Sequence, residues 1–378
     1  MKREKFHVTI IRLQTAVLTA LLIFAGIFLI GFSKNVGTGI REGLAVCANV
    51  LIPSLFPFMI FSSFLLKTRA EKGISFLLKP VTRYAFGLNP KTGAVILLSL
   101  IGGYPVGAKL VSQMKANKEI SEKTARRLMY FCVNAGPAFI TVAVGSHMFG
   151  SFAIGLILLV SQLTGSILIA VISRFLFGSL DSETELYIRQ YDPPSVSLVK
   201  AVSEAASAML TICTFVVAFW GFSGILSSLG IPKLFSGILS KAGIDPAFSE
   251  ALLAGLMEVT SGCTAAAKLS DLHSAVMLTA FLTSFGGFCV LFQIKAFLGG
   301  SGLRIKHFFL VRLFHGGLSM LISRIFLFFV PDQITAAFAS QPKPVLAAGS
   351  LPASVALILL CVALVFSVGG QHQEKISK

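Results

Sequence analysis

Charged residues are scarce in this sequence of 378 residues. They make up 13% of it, against roughly a quarter in ordinary soluble domains, while hydrophobic residues make up 55%. Several apolar runs reach the roughly 20 residues that span a bilayer, which is too long and too apolar for a soluble core. These runs are Leu13–Phe32, Leu44–Leu66, Phe152–Ile172, Met209–Leu226 and His307–Val330. The composition therefore excludes a soluble domain of any size and predicts an integral membrane protein.

Signatures of catalysis and of metal binding are also missing. The six cysteines fall inside apolar runs and show no CxxC or other metal-ligand spacing. There is no Walker phosphate loop, no Gly-x-Ser-x-Gly and no HExxH sequence. We therefore expect a protein that is not an enzyme, with no cofactor and no metal site.

Acidic residues are outnumbered two to one, which leaves a net charge of +16 from 32 basic and 16 acidic residues. Cytoplasmic loops of membrane proteins carry such an excess of lysine and arginine, so nucleic acid is not an expected partner. Basic residues concentrate at 67–91, 115–127 and 295–306, which predicts that these loops are cytoplasmic. Tracing the chain from them places both termini in the cytoplasm, with the N-terminal apolar run as an uncleaved first helix.

Two short apolar segments are interrupted by small and polar residues. The first, Thr92–Val111, contains "SLIGGYPVGAKL" and has predicted cytoplasmic loops on both sides, so we interpret it as a re-entrant hairpin. The second, Phe248–Leu269, reads "FSEALLAGLMEVTSGCTAAAKL". Broken backbone at membrane depth is tolerated only where protein covers it or water fills a cavity. Both segments are therefore candidates for the walls of a site.

The two hairpins belong to an apparent internal repeat. "GGYPVGAKL" resembles "SGCTAAAKL", and "NAGPAFI" resembles "SFGGFCV". Each half has three full crossings, which forces the halves into opposite orientations. We predict an all-α polytopic fold with about eight transmembrane helices, two re-entrant hairpins and an inverted-topology repeat. The parts are an N-terminal transmembrane helix at 1–35, a first repeat at 36–177, a cytoplasmic linker at 178–200, a second, inverted repeat at 201–330, and a C-terminal loop with a last transmembrane helix at 331–378.

Paired interrupted helices point to a substrate site near the middle of the membrane, because helix ends there expose N–H groups, carbonyls and dipoles. Ionisable residues within membrane spans are also functional candidates, because burying a charge in the membrane is energetically expensive. Glu258 binds cargo or a proton, or else pairs with a lysine of another helix; Lys109 and Lys268 bind an anion or reach toward headgroups. The candidate substrate-binding residues are Gly102, Gly103, Tyr104, Lys109, Asn134, Gly136, Glu258, Thr260, Ser261 and Lys268.

Four stretches of the sequence resemble the YlbJ/SpoVV family of sporulation integral membrane proteins, which carry nucleoside-recognition (Gate) domains. They are "LIPSLFPFMIFS", "GGYPVGAK", "ISEKTARRLMYFCVNAGPAFI" and "SGCTAAAK", within a resemblance that covers roughly residues 36–330. The resemblance implies transport of dipicolinate, a small planar dianion, across the outer forespore membrane. The second hairpin departs from the family pattern, because Ser-Gly-Cys replaces Gly-Gly-Tyr-Pro there.

The residues and the resemblance together lead to one expected function and two alternatives. We expect a membrane transporter of a small anionic molecule during endospore formation, located in the cell membrane or the outer forespore membrane. A nucleoside transporter and a non-transporting sporulation scaffold are the alternatives. The expected partners are the small-molecule substrate and the lipid bilayer, and a homo-oligomer is left open.

Overall fold

The computed structural model describes residues 15–329 except 18, 21, 22, 25, 179–190, 192, 300 and 304–306. Regular structure in this part of the chain is helical, which confirms the predicted class. The predicted last helix, Ala353–Val368, and most of the linker at 178–200 lie outside the described residues. Among the described residues, five helices are long and apolar enough to cross a membrane: Ser33–Leu66, Phe152–Phe177, Pro194–Ser228, Leu272–Leu298 and Phe308–Leu327.

The order of helices is the same in two successive parts of the chain. A long helix is followed by a short one, then by two pairs of short helices, then by another long helix. The first part contains α1 (Ser33–Leu66), α2 (Ala70–Leu77), α3 (Gly93–Gly102), α4 (Tyr104–Ala116), α5 (Glu122–Phe131), α6 (Phe139–Met148, π-helical) and α7 (Phe152–Phe177). The second part contains α8 (Pro194–Ser228), α9 (Ile231–Ser240), α10 (Pro246–Met257), α11 (Val259–Ala266), α12 (Leu272–Phe285), α13 (Gly287–Leu298) and α14 (Phe308–Leu327).

The first pair of short helices in each part is a tight hairpin with a one-residue tip. Helices α3 and α4 reverse at Gly103, whose φ of +86° favours a residue without a Cβ. Helices α10 and α11 reverse at Glu258, and the Ser261 hydroxyl donates across the turn to the Ala254 carbonyl at 3.2 Å. Small residues let the arms approach, since a Cβ on Gly262 would collide with the backbone of Gly255.

The second pair of short helices in each part is one membrane segment broken near its middle. The first of these segments is not one continuous helix, because residues 132–136 have no helical structure and separate α5 from α6. The physical reason is the Asn-Ala-Gly-Pro sequence, because Pro137 has no N–H and its ring restricts the residue before it. The segment Leu272–Leu298 is interrupted at Gly286, whose φ is +92°.

Helices α1 and α8 pack antiparallel along most of their length. Asn35 Nδ2 donates to Ser228 Oγ at one end, and Ser63 Oγ donates to Glu204 Oε2 at 3.0 Å near the other. Between these points Gly39 and Gly43 of α1 face Trp220 so closely that a Cβ on Gly39 would collide with the Trp220 carbonyl. The Gly-x-x-x-Gly spacing thus permits close helix contact, as is common between membrane helices.

Candidate functional site

The two hairpin tips and the two broken segments meet at one buried cavity. Its volume is about 30 Å³, room for one or two water molecules. Its wall is formed by both tips, by Gly136 in the first break, by α13 beyond the second break, and by the middle of α1 and α8. The polar side chains in this wall are Tyr104, Glu258, Thr260 and Gln293. We call this space the junction cavity.

The tip of the first hairpin contacts both broken segments. Gly103 lies against the backbone of Gly136 in the first break, where both residues line the junction cavity. The next residue, Tyr104, is buried and its hydroxyl donates to the carbonyl of Thr283, near the end of α12. The first tip is therefore the point at which the two parts of the chain are joined.

Glu258 forms the tip of the second hairpin and caps the N-terminus of α11. Its carboxylate accepts hydrogen bonds from the backbone N–H groups of Thr260 at 3.0 Å and Ser261 at 2.9 Å, and from the Thr260 hydroxyl. The indole N–H of Trp220 on α8 donates to the same carboxylate at 3.1 Å. Because only 1% of Glu258 is exposed, these donors and the helix dipole replace water around its negative charge.

Side chains of α7 and of the break itself form hydrogen bonds with the non-helical backbone of the first broken segment. The Gln162 side chain accepts from the Ala135 N–H at 3.2 Å and donates to the Ala135 carbonyl at 3.0 Å. Asn134 and Ser166 both donate to the carbonyl of Phe131, the last residue of α5. The Asn134 side chain thus closes a helix end and is absent from the wall of the junction cavity.

Arg312 of α14 donates hydrogen bonds to backbone carbonyls of both broken segments. It is fully buried, and its guanidinium donates to the carbonyls of Ser284 and Phe285 at the end of α12 and of Val133 just past α5. Its charge therefore stands at the negative ends of two half-helices. The guanidinium carbon also lies 5.8 Å from the centre of the Tyr104 ring, which separates it from the junction cavity.

His315, one turn after Arg312, extends this network to α7. Its Nδ1 lies 3.3 Å from an Arg312 nitrogen and its Nε2 lies 3.0 Å from the Gln162 carbonyl oxygen. An arginine can only donate and a carbonyl can only accept, so the neutral imidazole carries its proton on Nε2. The chain of contacts from Arg312 through His315 to Gln162 links the supports of both breaks.

The two lysines of the predicted site lie elsewhere. Lys109 Nζ is 3.2 Å from Glu204 Oε2, and Lys67 Nζ is 2.7 Å from the other oxygen of the same carboxylate. Lys109 thus belongs to a half-buried ion cluster between α1, α4 and α8. Lys268 is exposed, past the end of α11. The shared Ala-Lys-Leu does not mark equivalent positions, because Lys109 lies six residues after its hairpin tip and Lys268 ten.

The remaining predicted residues come together or close to one another. Gly103, Tyr104, Gly136, Glu258 and Thr260 line the junction cavity, Gly102 directly precedes the first tip, and Ser261 lies behind the second. Sequence reasoning missed Arg312, Gln162 and Trp220. Arg312 carried a usable signal, because it is a permanent charge inside the apolar run His307–Val330. Gln162 and Trp220 had none that distinguishes them from packing residues.

Interrupted helices that converge on one small cavity, within a bundle of membrane-length helices, define a polytopic α-helical membrane protein. Residues 48–154, which contain the first hairpin and the first break, match the Gate family, described as "Nucleoside recognition". The chain is similar to the sporulation integral membrane protein YlbJ of Bacillus subtilis (strain 168), with 24% identity over 333 residues, 81% of each chain. The resemblance seen in the sequence is thus confirmed. No solved structure matches this chain.

Proposed function

We propose that this protein is a membrane transporter whose cargo binds in the junction cavity, between the two hairpin tips. The observation that carries the proposal is the meeting of both tips and both broken segments at one buried space, whose mostly apolar wall includes four polar side chains. Helix ends at such a place offer N–H groups and carbonyls that need no further desolvation. The present volume of 30 Å³ admits only water, so the tips must separate for a cargo to enter.

The proposed cargo is a small anionic molecule, with dipicolinate as the leading candidate from the family resemblance. Glu258 would repel an anion if its charge were bare, but four hydrogen bonds already surround that carboxylate. On the opposite side, α4 begins at Tyr104 without a side-chain cap, and Arg312 lies behind the Tyr104 ring. The first tip is accordingly the more electropositive wall, where a carboxylate would be held best.

A nucleoside is the second candidate, and the composition of the wall favours it. The residues that line the junction cavity include a carboxylate and an amide but neither lysine nor arginine. Glu258 and Gln293 could hydrogen-bond a ribose or a base, and Tyr104 and Phe139 offer aromatic faces. This candidate also agrees with the description of the matching family.

We further propose that the two parts of the chain form an inverted repeat, with the hairpins entering the membrane from opposite sides. The antiparallel contact of α1 with α8 supports this arrangement, because these two helices hold the same place in the helix order. A two-fold axis in the membrane plane would relate them. We place the termini in the cytoplasm and the protein in the cell membrane or the outer forespore membrane.

The test is uptake of radiolabelled dipicolinate and of uridine by liposomes that contain the purified protein. We expect saturable uptake of dipicolinate. In Glu258→Gln the uptake rate should fall about tenfold, because a neutral amide accepts weaker hydrogen bonds than a carboxylate does. Lys268→Ala is the control, since Lys268 is exposed and does not line the cavity.

Each other outcome has a defined meaning. Uptake of uridine alone would replace the anion with the nucleoside. Loss of dipicolinate uptake in both Lys109→Ala and Lys268→Ala would move the anion site from the junction cavity to the lysines. Uptake of neither compound, by protein shown to be folded, would favour the membrane scaffold.

A further inference from the structure

A second and larger cavity lies beside the junction cavity, between α1, α8 and α10. Its volume is about 350 Å³, enough for a small organic molecule. Its wall is largely polar on the α1 and α8 sides, with Asn35, Thr38 and Ser223 among the contributors. The carboxylates of Glu42 and Glu250 also line it and are exposed. We call this space the vestibule.

The Trp220 side chain and the second hairpin tip lie between the vestibule and the junction cavity. Trp220 is half-buried, lines the vestibule and donates its indole N–H to Glu258, which lines the junction cavity. Ser261 connects the two spaces in the same way, because it lines the vestibule while its N–H donates to Glu258. The indole of Trp220 and the second hairpin tip therefore form the barrier between the two cavities.

The base of this side chain packs on α1. Gly39 lies against the Trp220 backbone, and Gly43 lies against its Cβ and Cγ. Its hydrogen bond to Glu258 is the contact that a movement of the second hairpin would break. A shift of that tip would therefore remove the Trp220 contact and join the vestibule to the junction cavity.

We infer that the vestibule is the aqueous route to the cargo site and that Trp220 is the gate between them. The inference deepens the proposed function and rests on it for the identity of the cargo. It makes Trp220 a positioning residue of the closed gate, and it assigns the route to the end of α1 that carries Asn35. At the opposite end, the ion cluster of Lys67, Lys109 and Glu204 joins α1, α4 and α8.

The route is tested first by fluorescence, because Trp220 is the single tryptophan of the chain. In liposomes without cargo, we expect acrylamide and caesium to quench its emission, and caesium to quench about twofold more than iodide because Glu42 and Glu250 attract cations. The double substitution Glu42→Gln with Glu250→Gln should abolish the preference for caesium. Absence of quenching by both acrylamide and caesium would overturn the route.

The gate is tested by a cysteine at Val216, which is 2% exposed and lines the junction cavity. A charged methanethiosulfonate should modify Val216→Cys slowly, and Trp220→Ala should accelerate the reaction about tenfold by removing the barrier. Phe222→Ala is the matched control, because Phe222 is an aromatic residue of α8 that is 46% exposed. Protein without the added cysteine gives the background of the native thiols.

Trp220→Phe keeps a smaller aromatic ring and removes the hydrogen bond to Glu258, so it serves if Trp220→Ala fails to fold. An intermediate acceleration is expected from it, and equal rates in the Trp220 variants and Phe222→Ala would overturn the gate. Neither quenching nor labelling depends on transport. Protein that shows both effects but moves neither dipicolinate nor uridine would contradict the proposed function and leave the route intact.

Discussion

Arg312 illustrates how a single residue can stabilise broken backbone inside a membrane. Half-helices end in carbonyls that have no intrahelical partner, and lipid offers them no water. The planar guanidinium has five donors, and Arg312 directs them at Ser284, Phe285 and Val133 from one buried position. Lysine carries the same charge on a point-like group, so it cannot span carbonyls from two different segments.

We therefore expect Arg312→Lys to destabilise the protein by about 3 kcal/mol, the magnitude typical of a broken buried charge network. The melting temperature in detergent should fall clearly, and uptake should fall with it. Arg324→Lys is the control, because Arg324 lies on the same helix but is exposed, with Met277 Sδ 3.9 Å away. Equal melting temperatures for the two variants would show that Arg312 does not support the breaks.

At the scale of the element, the hairpin tips matter because they set where the helix ends point. The first tip needs a residue that adopts φ of +86° with an extended ψ, a region that glycine alone occupies easily. The second tip has an extended conformation that any residue adopts, and Glu258 is there as a cap. The two hairpin tips thus require different residues: the first requires a glycine and the second a carboxylate.

Gly103→Ala should cost about 1–3 kcal/mol, the usual strain of a non-glycine residue in this region. We expect a lower melting temperature and a weakened contact of Tyr104 with Thr283, hence reduced uptake. Gly73→Ala in α2 is the matched control, since nothing lies near a Cβ at that position, and it should leave stability unchanged or slightly increased. A Gly103→Ala protein as stable and active as Gly73→Ala would contradict the strained tip.

At the scale of the whole molecule, the two parts of the chain interlock through their equivalent helices. Helices α1 and α8 pack antiparallel, and the first tip reaches the broken segment of the other part through Tyr104 and Thr283. Helices α2 and α9 hold the same place in each part, next to the long helices, and both expose large apolar side chains. The proposed inversion places these two short helices at opposite faces of the membrane.

This placement is tested by Gly73→Cys in α2 and Gly237→Cys in α9, where a side chain meets no neighbour. In sealed vesicles of one orientation, a membrane-impermeant thiol reagent should modify Gly237→Cys from outside the cell and Gly73→Cys only from the cytoplasmic side. The excess of basic residues at 67–91 sets the expected direction. Modification of both cysteines from the same side would contradict the inverted repeat.

The membrane class and most of the helix breaks could be predicted from the sequence without a structure. Apolar runs of bilayer length determined that the chain is a helical membrane protein, and Gly103, Pro137 and Gly286 marked where helices break, because these residues restrict or relax backbone geometry locally. Three of the four interruptions therefore have a local cause in the sequence, whereas the tip at Glu258 has an extended conformation that any residue adopts. The family resemblance was readable for the same reason, since it rests on those same short motifs.

Pairing between side chains was decided only by the tertiary structure. A lysine in an apolar segment has the same sequence signal whether it binds cargo or an acid on another helix, and it is the fold that brings Lys109 to Glu204, 95 residues away. Likewise the fold pairs the Glu258 carboxylate with the N-terminus of α11 and with Trp220 rather than with a lysine. Charge and hydropathy are local quantities that the sequence determines, whereas the partner of a buried charge depends on which helices the fold places in contact.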